Sequence, residues 1–215
     1  MNNKTAFWSV VALLAAMAVA TAAVYNRLPA MMVTHWGTEG TPNGEMPRVW
    51  GALLPLLLAA GVAVLLWLLP LIDPRRRNYA AFRSTYNAFV VGVVAFIAYV
   101  DFFMLAWNLG YRLPLERAIA PALGAIFVLA GVLLRKARPN WFVGIRTPWT
   151  LSSATVWDKT HRLAAPSFIF SGIVTAAGVF GTPLLLVGIG LVTVSAVLAV
   201  VYSYFAYEEE QKRTA

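Results

Sequence analysis

The sequence predicts an all-α, polytopic membrane protein with six transmembrane helices and both termini in the cytoplasm. Three observations lead to this fold class. Hydrophobic residues make up 60% of the 215 residues and charged residues only 12%, about half the charged share of a typical soluble domain. Long apolar stretches recur along the chain, as in helices that cross a bilayer. Basic residues concentrate on one side of these stretches, which indicates their orientation.

The six predicted spans alternate with polar segments. The first span is rich in alanine and also resembles a secretory signal peptide, but we interpret it as a retained transmembrane helix. The second ends at Pro70, and only the sequence Gly-Thr-Pro at 181–183 separates the last two. The fifth is short, so it either tilts little or begins inside the preceding polar segment. The predicted spans are 6–24, 49–71, 86–107, 119–134, 166–180 and 184–207.

The basic residues are distributed unevenly between the two sides of the membrane. Six spans place 13 of the 17 Lys and Arg residues on the side of the termini and four on the other. Because basic loops remain in the cytoplasm, the termini and segment 135–165 are predicted to be cytoplasmic and loop 27–48 to face outward. The net charge of +8 is then orientation charge, and we expect no direct nucleic-acid binding. The absence of cysteine excludes disulfides and thiolate chemistry.

The outward loop 27–48 contains one of the two histidines of the chain. His35 and Glu39 are four residues apart, a spacing that could hold a metal ion on a helix. Gly40, Pro42 and the Asn43-Gly44 pair are strong turn signals, however, and make a helix improbable there. We therefore predict a packed loop in which His35 is hydrogen-bonded, Trp36 anchors at the interface, and no metal is bound.

Asp101 is the one acid inside the predicted spans, toward the outer end of the third. Acids within membranes are rare, and a functional role is the default hypothesis for them. The alternative is an acid that reaches the outer surface or pairs with a basic residue of the outward side. The candidate partners are Arg48, Arg112 and His35.

The polar segment 135–165 begins as turn and loop, because Pro139, Gly144 and Pro148 interrupt any helix. Ser152 or Ser153 then offers an N-cap, and a short helix is predicted from residue 154 to 165, ending at Pro166.

One face of this predicted helix carries Trp157, Thr160, His161 and Ala164, at the spacing of an amphipathic helix. Asp158 is expected to pair with Arg162 four residues later. His161 is a candidate ligand-binding or titrating group, or a histidine satisfied at the helix–bilayer junction.

Arg146 lies between two tryptophans, at positions 141 and 149, that suit the membrane interface. Its guanidinium could anchor an anion or a partner peptide, or contact lipid headgroups. No nucleophile–base pair, phosphate-binding loop or dinucleotide motif accompanies it. We therefore expect no enzymatic activity.

Two stretches of the sequence resemble known families. Residues 140–153 read NWFVGIRTPWTLSS and residues 156–162 read VWDKTHR, which closely resembles the signature of the SdpI/YfhL family of bacterial membrane proteins. The outer loop reads LP at 28–29, HW at 35–36 and GTPNG at 40–44, and it resembles the DUF1648 module. The departures are Asn43 in place of the common Asp, Arg48 near a common Lys, and Ala164-Ala165 where Gly-Gly is frequent.

The resemblance implies a DUF1648-like module at 1–72 and an SdpI-like four-span region at 73–215. It also implies a bacterial cytoplasmic (inner) membrane protein that gives immunity to a secreted peptide toxin and holds a small transcriptional repressor at the membrane. No cofactor is implied, and the lipid bilayer is the expected environment. In the cytoplasmic motif the expected ligand- or partner-binding residues are Asn140, Phe142, Gly144, Arg146, Thr147, Pro148, Trp149, Trp157, Lys159, Thr160, His161 and Arg162. Elsewhere they are His35, Trp36, Glu39 and Asn43 in the outward loop and Asp101 within the membrane.

Two other functions compete with immunity and signalling. A small transporter or exporter is indicated by Asp101 and by helix breakers such as Pro55 and Gly61. An enzyme acting on a lipid headgroup at Arg146 and His161 ranks last, because no acid–base pair accompanies them.

Overall fold

The structure, a computed structural model, describes residues 1–37, 40–112 and 114–214, except for the side chains at 115, 116 and 214. Six of its helices are long and apolar enough to cross a membrane, which confirms the predicted helical, polytopic fold. The α-helices are α1 Asn3–Val24, α2 Arg48–Ile72, α3 Arg83–Asn108, α4 Leu115–Lys136, α5 Pro148–Ser152, α6 Ala154–Ala176 and α7 Thr182–Thr214. The strands are β1 Met31–Trp36 and β2 Pro42–Pro47, and short 3-10 helices occupy Tyr25–Arg27, Arg76–Phe82 and Ala177–Phe180.

The six long helices form two groups of three. Helices α4, α6 and α7 pack closely together, α1 and α2 pack against α3, and α3 joins the groups through α4. Gly124 of α4 and Gly172 of α6 face each other, so that a Cβ on Gly172 would lie 2.6 Å from the carbonyl oxygen of Gly124. Small residues permit this close approach, which is the usual way that transmembrane helices associate.

Both termini lie at the same end of the bundle. The carbonyl of Met1 accepts a hydrogen bond at 3.2 Å from Asn87, near the start of α3. Glu209, near the end of α7, pairs with Lys159 near the start of α6 at 3.3 Å. Segment 135–165 lies at this end, which we call the motif end, and the two strands lie at the opposite end, which we call the hairpin end.

The outward loop differs from its prediction, because much of it is an antiparallel β-hairpin rather than irregular loop. Strands β1 and β2 pair from Met31 with Pro47 to Trp36 with Pro42, with register shifts on both sides of His35. The side chain of Asn108, at the end of α3, accepts from the N–H and donates to the carbonyl of Val33, both at 2.9 Å. A residue 75 positions away in sequence thus bonds the backbone N–H and carbonyl groups of Val33 on the edge of β1. Local turn signals do not reveal such a contact.

Helix α6 also differs from its prediction. The predicted short helix ending at Pro166 and the predicted fifth span are one continuous helix, with Pro166 inside it. A proline removes one backbone hydrogen bond, but α6 packs along α4 and α7, and transmembrane helices tolerate proline when their neighbours hold them. The expectation that the fifth span begins inside the preceding segment is therefore the correct alternative.

Candidate functional site

Asn140 is the centre of the motif end and is fully buried. Its Oδ1 accepts hydrogen bonds from the backbone N–H groups of Phe142 and Val143, at 3.0 and 2.6 Å, and from the hydroxyl of Tyr79 at 3.3 Å. Its Nδ2 donates to the carbonyls of Arg138 and Val143 at 2.8 and 2.9 Å. Every donor and acceptor of this amide is therefore engaged, and Asn140 shapes the loop that contains it.

Asp73, which the sequence analysis did not single out, supports the same loop. It is 2% exposed, and its Oδ1 accepts from the backbone N–H of Arg75 at 2.7 Å. Its Oδ2 accepts from the backbone N–H of Trp141 at 2.9 Å and lies 3.2 Å from the hydroxyl of Tyr79, whose single hydrogen it shares with Asn140. A lone acid directly after an apolar span and before three arginines is the sequence signal that could have identified it.

The connection between α2 and α3 holds the motif from a second direction. The guanidinium of Arg75 donates to the carbonyl of Leu151 at 2.9 Å, and the amide of Asn78 donates to the carbonyl of Pro139 at 2.6 Å. Two polar side chains of this connection therefore satisfy carbonyls of segment 135–165. They fix that segment against α3.

His161 is buried, and both of its ring nitrogens have partners. Nε2 accepts from the backbone N–H of Ile145 at 3.0 Å, and Nδ1 donates to the carbonyl of Trp157 at 2.8 Å. This arrangement requires a neutral ring with its proton on Nδ1. The ring stacks on Trp157 at 4.1 Å between centroids, and the indole N–H of Trp157 donates to the carbonyl of Ala137 at 3.0 Å. In this structure His161 is therefore a packed, satisfied histidine and not a free base.

Gly144 faces the ring of His161. Its φ of 111° lies in the region that favours glycine, and a Cβ at this position would collide with His161 Nε2. The glycine is therefore required both by the backbone conformation and by the space in front of the histidine.

Thr147 begins helix α5 with a capping box. Its hydroxyl accepts from the backbone N–H of Thr150 at 3.2 Å, while the hydroxyl of Thr150 accepts from the backbone N–H of Thr147 at 2.9 Å. Pro148 takes the first turn of the helix, where a proline costs no hydrogen bond. The hydroxyl of Thr147 also lies 3.0 Å from that of Ser203 on α7. The motif is thus tied to the last helix as well as to α3.

The start of α6 confirms one prediction and corrects another. Ser153 is the N-cap, accepting from the backbone N–H of Val156 at 3.2 Å. The predicted pair of Asp158 with Arg162 is wrong, because Asp158 lies 3.7 Å from Arg138 instead. Arg138 precedes the loop that folds back over α6. The partner of Asp158 therefore comes from the tertiary structure, which helical spacing does not show.

The predicted motif residues divide into two groups by exposure. The buried ones are Asn140, Thr147, Trp157, Thr160 and His161, and the exposed ones are Arg146, Pro148 and Arg162. Phe142, Gly144, Trp149 and Lys159 are half-buried, and Lys159 pairs with Glu209. The structure therefore brings the predicted residues together, but it uses most of the polar ones in bonds within the chain.

A basic surface covers the motif end outside this frame. It consists of the exposed residues Arg135, Lys136, Arg138, Arg146 and Arg162. All but Arg146 line a cavity of about 300 Å³, together with Asp158 and His161. The guanidinium of Arg146 donates to the carbonyl of Trp141 at 3.1 Å, which holds it at the surface. Forked donors and excess positive charge suit an acidic partner or an anion.

The predicted residues of the outward loop lie on the hairpin. His35 is exposed, and its Nδ1 lies 2.5 Å from Oδ1 of Asn43, as predicted for a hydrogen-bonded histidine. Trp36 packs edge-on against Trp107 of α3, at 5.6 Å between ring centroids. Glu39 lies outside the described residues, and within the described part of the chain no group of three His, Asp or Glu side chains could hold a metal ion.

Asp101 is buried in α3, with 3% of its surface exposed. The alternative in which this carboxylate reaches the outer surface is wrong, because its side chain is buried. Among the described residues, its Oδ1 has no hydrogen-bond partner. No ion pair with Arg48, Arg112 or His35 is found there either. Arg112 instead stacks on the ring of Trp107 at 4.7 Å.

Comparisons with known proteins agree with the resemblances noted in the sequence. The model of the SdpI/YfhL protein family matches residues 136–204, which contain most of the motif, α5, α6 and much of α7. The model of a domain of unknown function, DUF1648, matches residues 12–59, which contain the hairpin and parts of α1 and α2.

A curated relative matches as well. The immunity protein SdpI of Bacillus subtilis (strain 168) is 31% identical over 104 residues, which are 47% of this chain and 50% of that protein. The chain thus spans about half the length of the curated relative that it matches. No solved structure matches this chain.

Proposed function

We propose that this multi-pass membrane protein, whose residues 136–204 match the model of the SdpI/YfhL protein family, is a bacterial immunity protein. It protects the cell against a secreted antimicrobial peptide from the cytoplasmic (inner) membrane. The termini and the motif end face the cytoplasm, and the hairpin end faces outward. The chain divides into a DUF1648-like module at 1–72 and a four-span region at 73–215. No catalysis and no nucleic-acid contact belong to this role.

The main support for the proposal is that the residues matched by the family model form one folded unit. Residues 136–204 span a loop fixed by Asn140, Thr147 and His161 and the helices that pack beneath it. The curated relative is itself an immunity protein. A family match over such a hydrogen-bonded unit supports a related role, since the buried polar groups within the unit depend on one arrangement of the chain.

We further propose that the basic surface holds a small repressor protein at the membrane. Arg146 and Arg162 are exposed cations on this surface and could form forked bonds with carboxylates of an acidic partner. A secreted toxin is expected to contact the hairpin end, since that end faces outward, on the opposite side of the bilayer from the motif end. Transmission from one face to the other would require two arrangements of the helices.

Survival of a toxin-sensitive bacterium tests the immunity role. Cells that express the chain are expected to survive a purified secreted killing peptide better than cells with an empty vector. Asn140→Ala is expected to abolish protection, because the motif loop loses its central amide. No protection against any tested peptide, at normal abundance in the membrane, would contradict the role.

The repressor role has a separate test. The double variant Arg146→Gln/Arg162→Gln is expected to keep protection but to lose at least half of the membrane-bound fraction of a fluorescently tagged repressor. Lys212→Gln removes a charge of the same sign from the exposed end of α7 and serves as the matched control. Equal recruitment of the repressor by the wild type, the double variant and Lys212→Gln would show that the basic surface does not bind it.

A second candidate function, ion-coupled transport, is favoured by one observation. Asp101 is buried within the bilayer-spanning part of α3, and one of its carboxylate oxygens has no partner among the residues that the structure describes. Intramembrane acids often mark ion or substrate pathways. Substrate-dependent flux in proteoliposomes that disappears in Asp101→Asn would favour the transporter over the immunity protein.

A further inference from the structure

The least explained polar group of the chain is the carboxylate of Asp101. Its Oδ1 is enclosed by protein and, among the described residues, has no hydrogen-bond partner. An ionised carboxylate without a partner is among the most costly groups to bury. A binding role would explain why an acid occupies this position, since a bound ligand could interact with the carboxylate oxygen that the protein leaves without a partner.

Asp101 separates two cavities of similar size. One, of about 180 Å³, lies beneath the hairpin and between α2 and α3, and the other, of about 170 Å³, lies between α1 and α3. The second is lined by apolar residues apart from Asp101 itself. A polar ligand therefore finds its other contacts only in the first cavity, which we call the hairpin cavity.

The hairpin cavity offers neutral oxygen atoms opposite the carboxylate. Thr34 of β1 lines it and carries a hydroxyl group. Gly51 and Pro55 of α2 line it as well, and Pro55 has no backbone N–H to donate to the carbonyl of Gly51, four residues earlier. The proline thus frees a carbonyl oxygen of a transmembrane helix at the cavity that contains the unpartnered acid.

The positions of these groups along the helices place them all in the half of the bundle next to the hairpin. Asp101 lies seven residues before the end of α3 and Pro55 seven residues after the start of α2, so both lie about 10 Å inside the hairpin end of their helices. The carbonyl of Gly51 points along α2 toward Pro55. The freed carbonyl belongs to Gly51, four residues before Pro55, and so begins about 6 Å nearer the hairpin end than Asp101. Gly51 and Asp101 both line the same cavity.

We propose that the hairpin cavity is a binding site for a monovalent metal cation of the size of Na⁺ or K⁺. The Asp101 carboxylate supplies the charge, and Thr34 and the Gly51 carbonyl supply neutral ligands. Oxygen donors suit such hard cations, and a single carboxylate balances a single positive charge. The site does not depend on the immunity role, and it names the ion site that the transporter alternative would use.

Thermal unfolding of the purified full-length chain in detergent tests the site, with chloride salts of Na⁺, K⁺ and choline at equal ionic strength. A cation that binds only the folded protein stabilises it. We expect NaCl or KCl to raise the Tm by about 3 °C or more over choline chloride at concentrations well above the Kd. The rise is expected to saturate with cation concentration.

Two variants separate the site from general salt effects. Asp101→Asn is expected to fold and to lose the difference between salts, because it keeps the shape of the side chain without its charge. Glu45→Gln removes an exposed acid of the hairpin and should retain the full rise. Thr34→Val should reduce it, and this variant keeps the test decisive should Asp101→Asn fail to fold.

Three results would overturn the cation site. One is a Tm that does not depend on the cation, and another is a cation-dependent rise that persists in Asp101→Asn. The third is a wild-type Tm that does not depend on the cation but rises on acidification, with no such rise in Asp101→Asn. That result would mean that Asp101 binds a proton instead of a metal cation. The cation site is tested by unfolding and the immunity role by cell survival. Failure of the cation site would therefore not count against the immunity role.

Discussion

The two ends of the bundle differ in how completely their buried polar groups are satisfied. At the motif end, Asn140, Asp73 and His161 are each buried and engaged in several hydrogen bonds. At the hairpin end, buried side-chain atoms of Thr21, Trp36, Asp101 and Trp107 have no partner among the described residues. In the described part of the motif end, the one comparable atom is Oγ1 of Thr160.

This difference separates structure from binding. A saturated network makes one arrangement of the chain much more stable than its alternatives, so the buried residues of the motif act mainly as a frame. Unsatisfied groups cost free energy until something binds to them, so the hairpin end is the better place to look for a ligand. Residues that identify a family in sequence are therefore not necessarily the residues that contact its ligand.

The largest effect is expected from the centre of the frame. Asn140→Ala removes five hydrogen bonds and leaves the part-buried N–H groups of Phe142 and Val143 without the acceptor they have in the wild type. We expect a loss of about 3 kcal/mol or more in the free energy of unfolding, measured by thermal or denaturant unfolding in detergent micelles.

A matched variant sharpens this prediction. Asn140→Asp retains the oxygen that accepts three of the bonds but not the amide that donates to Arg138 and Val143. Its stability should fall between those of the wild type and Asn140→Ala. Wild-type stability for both variants would show that the motif end is not held by this amide.

An intermediate effect is expected at Gly144. Gly144→Ala places a methyl group against His161 and requires a residue with a side chain to adopt a positive φ. We expect a loss of about 2 kcal/mol and a lower Tm in the same unfolding assay.

The control for this variant is Gly61→Ala in α2. A Cβ there meets no atom within 4 Å, and alanine is the better helix former. Gly61→Ala should leave the Tm unchanged or raise it. Equal Tm values for the two alanine variants would contradict the fit of the His161 ring against Gly144.

The smallest effects are expected from a pair of threonine-to-valine variants. Thr147→Val removes a cap and the contact with Ser203, and should cost about 1–2 kcal/mol. Thr21→Val removes a buried hydroxyl that has no partner in the described parts of the chain, and should change stability by less than about 0.5 kcal/mol or increase it. A larger loss for Thr21→Val than for Thr147→Val in unfolding experiments would reverse the comparison between the two ends.

Much of the fold was predictable because it depends on local properties of the chain. Membrane spans follow from the length of apolar segments, and the short loops with prolines and glycines mark where they end. The cap at Ser153 and the buried face of Trp157, Thr160 and His161 follow from spacing within one helix. The sequence also identified Asp101 as unusual, since a charged residue stands out in an apolar segment.

The remaining features depend on contacts between distant parts of the chain. The hairpin is completed by Asn108 from α3, Asp158 finds Arg138 instead of its neighbour in the helix, and α6 continues through Pro166 because other helices support it. The role of Asp73 is likewise defined by Trp141, 68 residues later. Spacing and propensity carry no information about such partners.

The most direct test of the two-ended account is the labelling of single cysteines in intact cells, for which the cysteine-free chain is a ready background. Thr41→Cys lies on the exposed turn side of the hairpin, and Thr155→Cys is exposed in the first turn of α6. A membrane-impermeant maleimide should label Thr41→Cys in intact cells and Thr155→Cys only after the membrane is opened. Labelling of Thr155→Cys from outside the intact cell would contradict the orientation and the role assigned to each end.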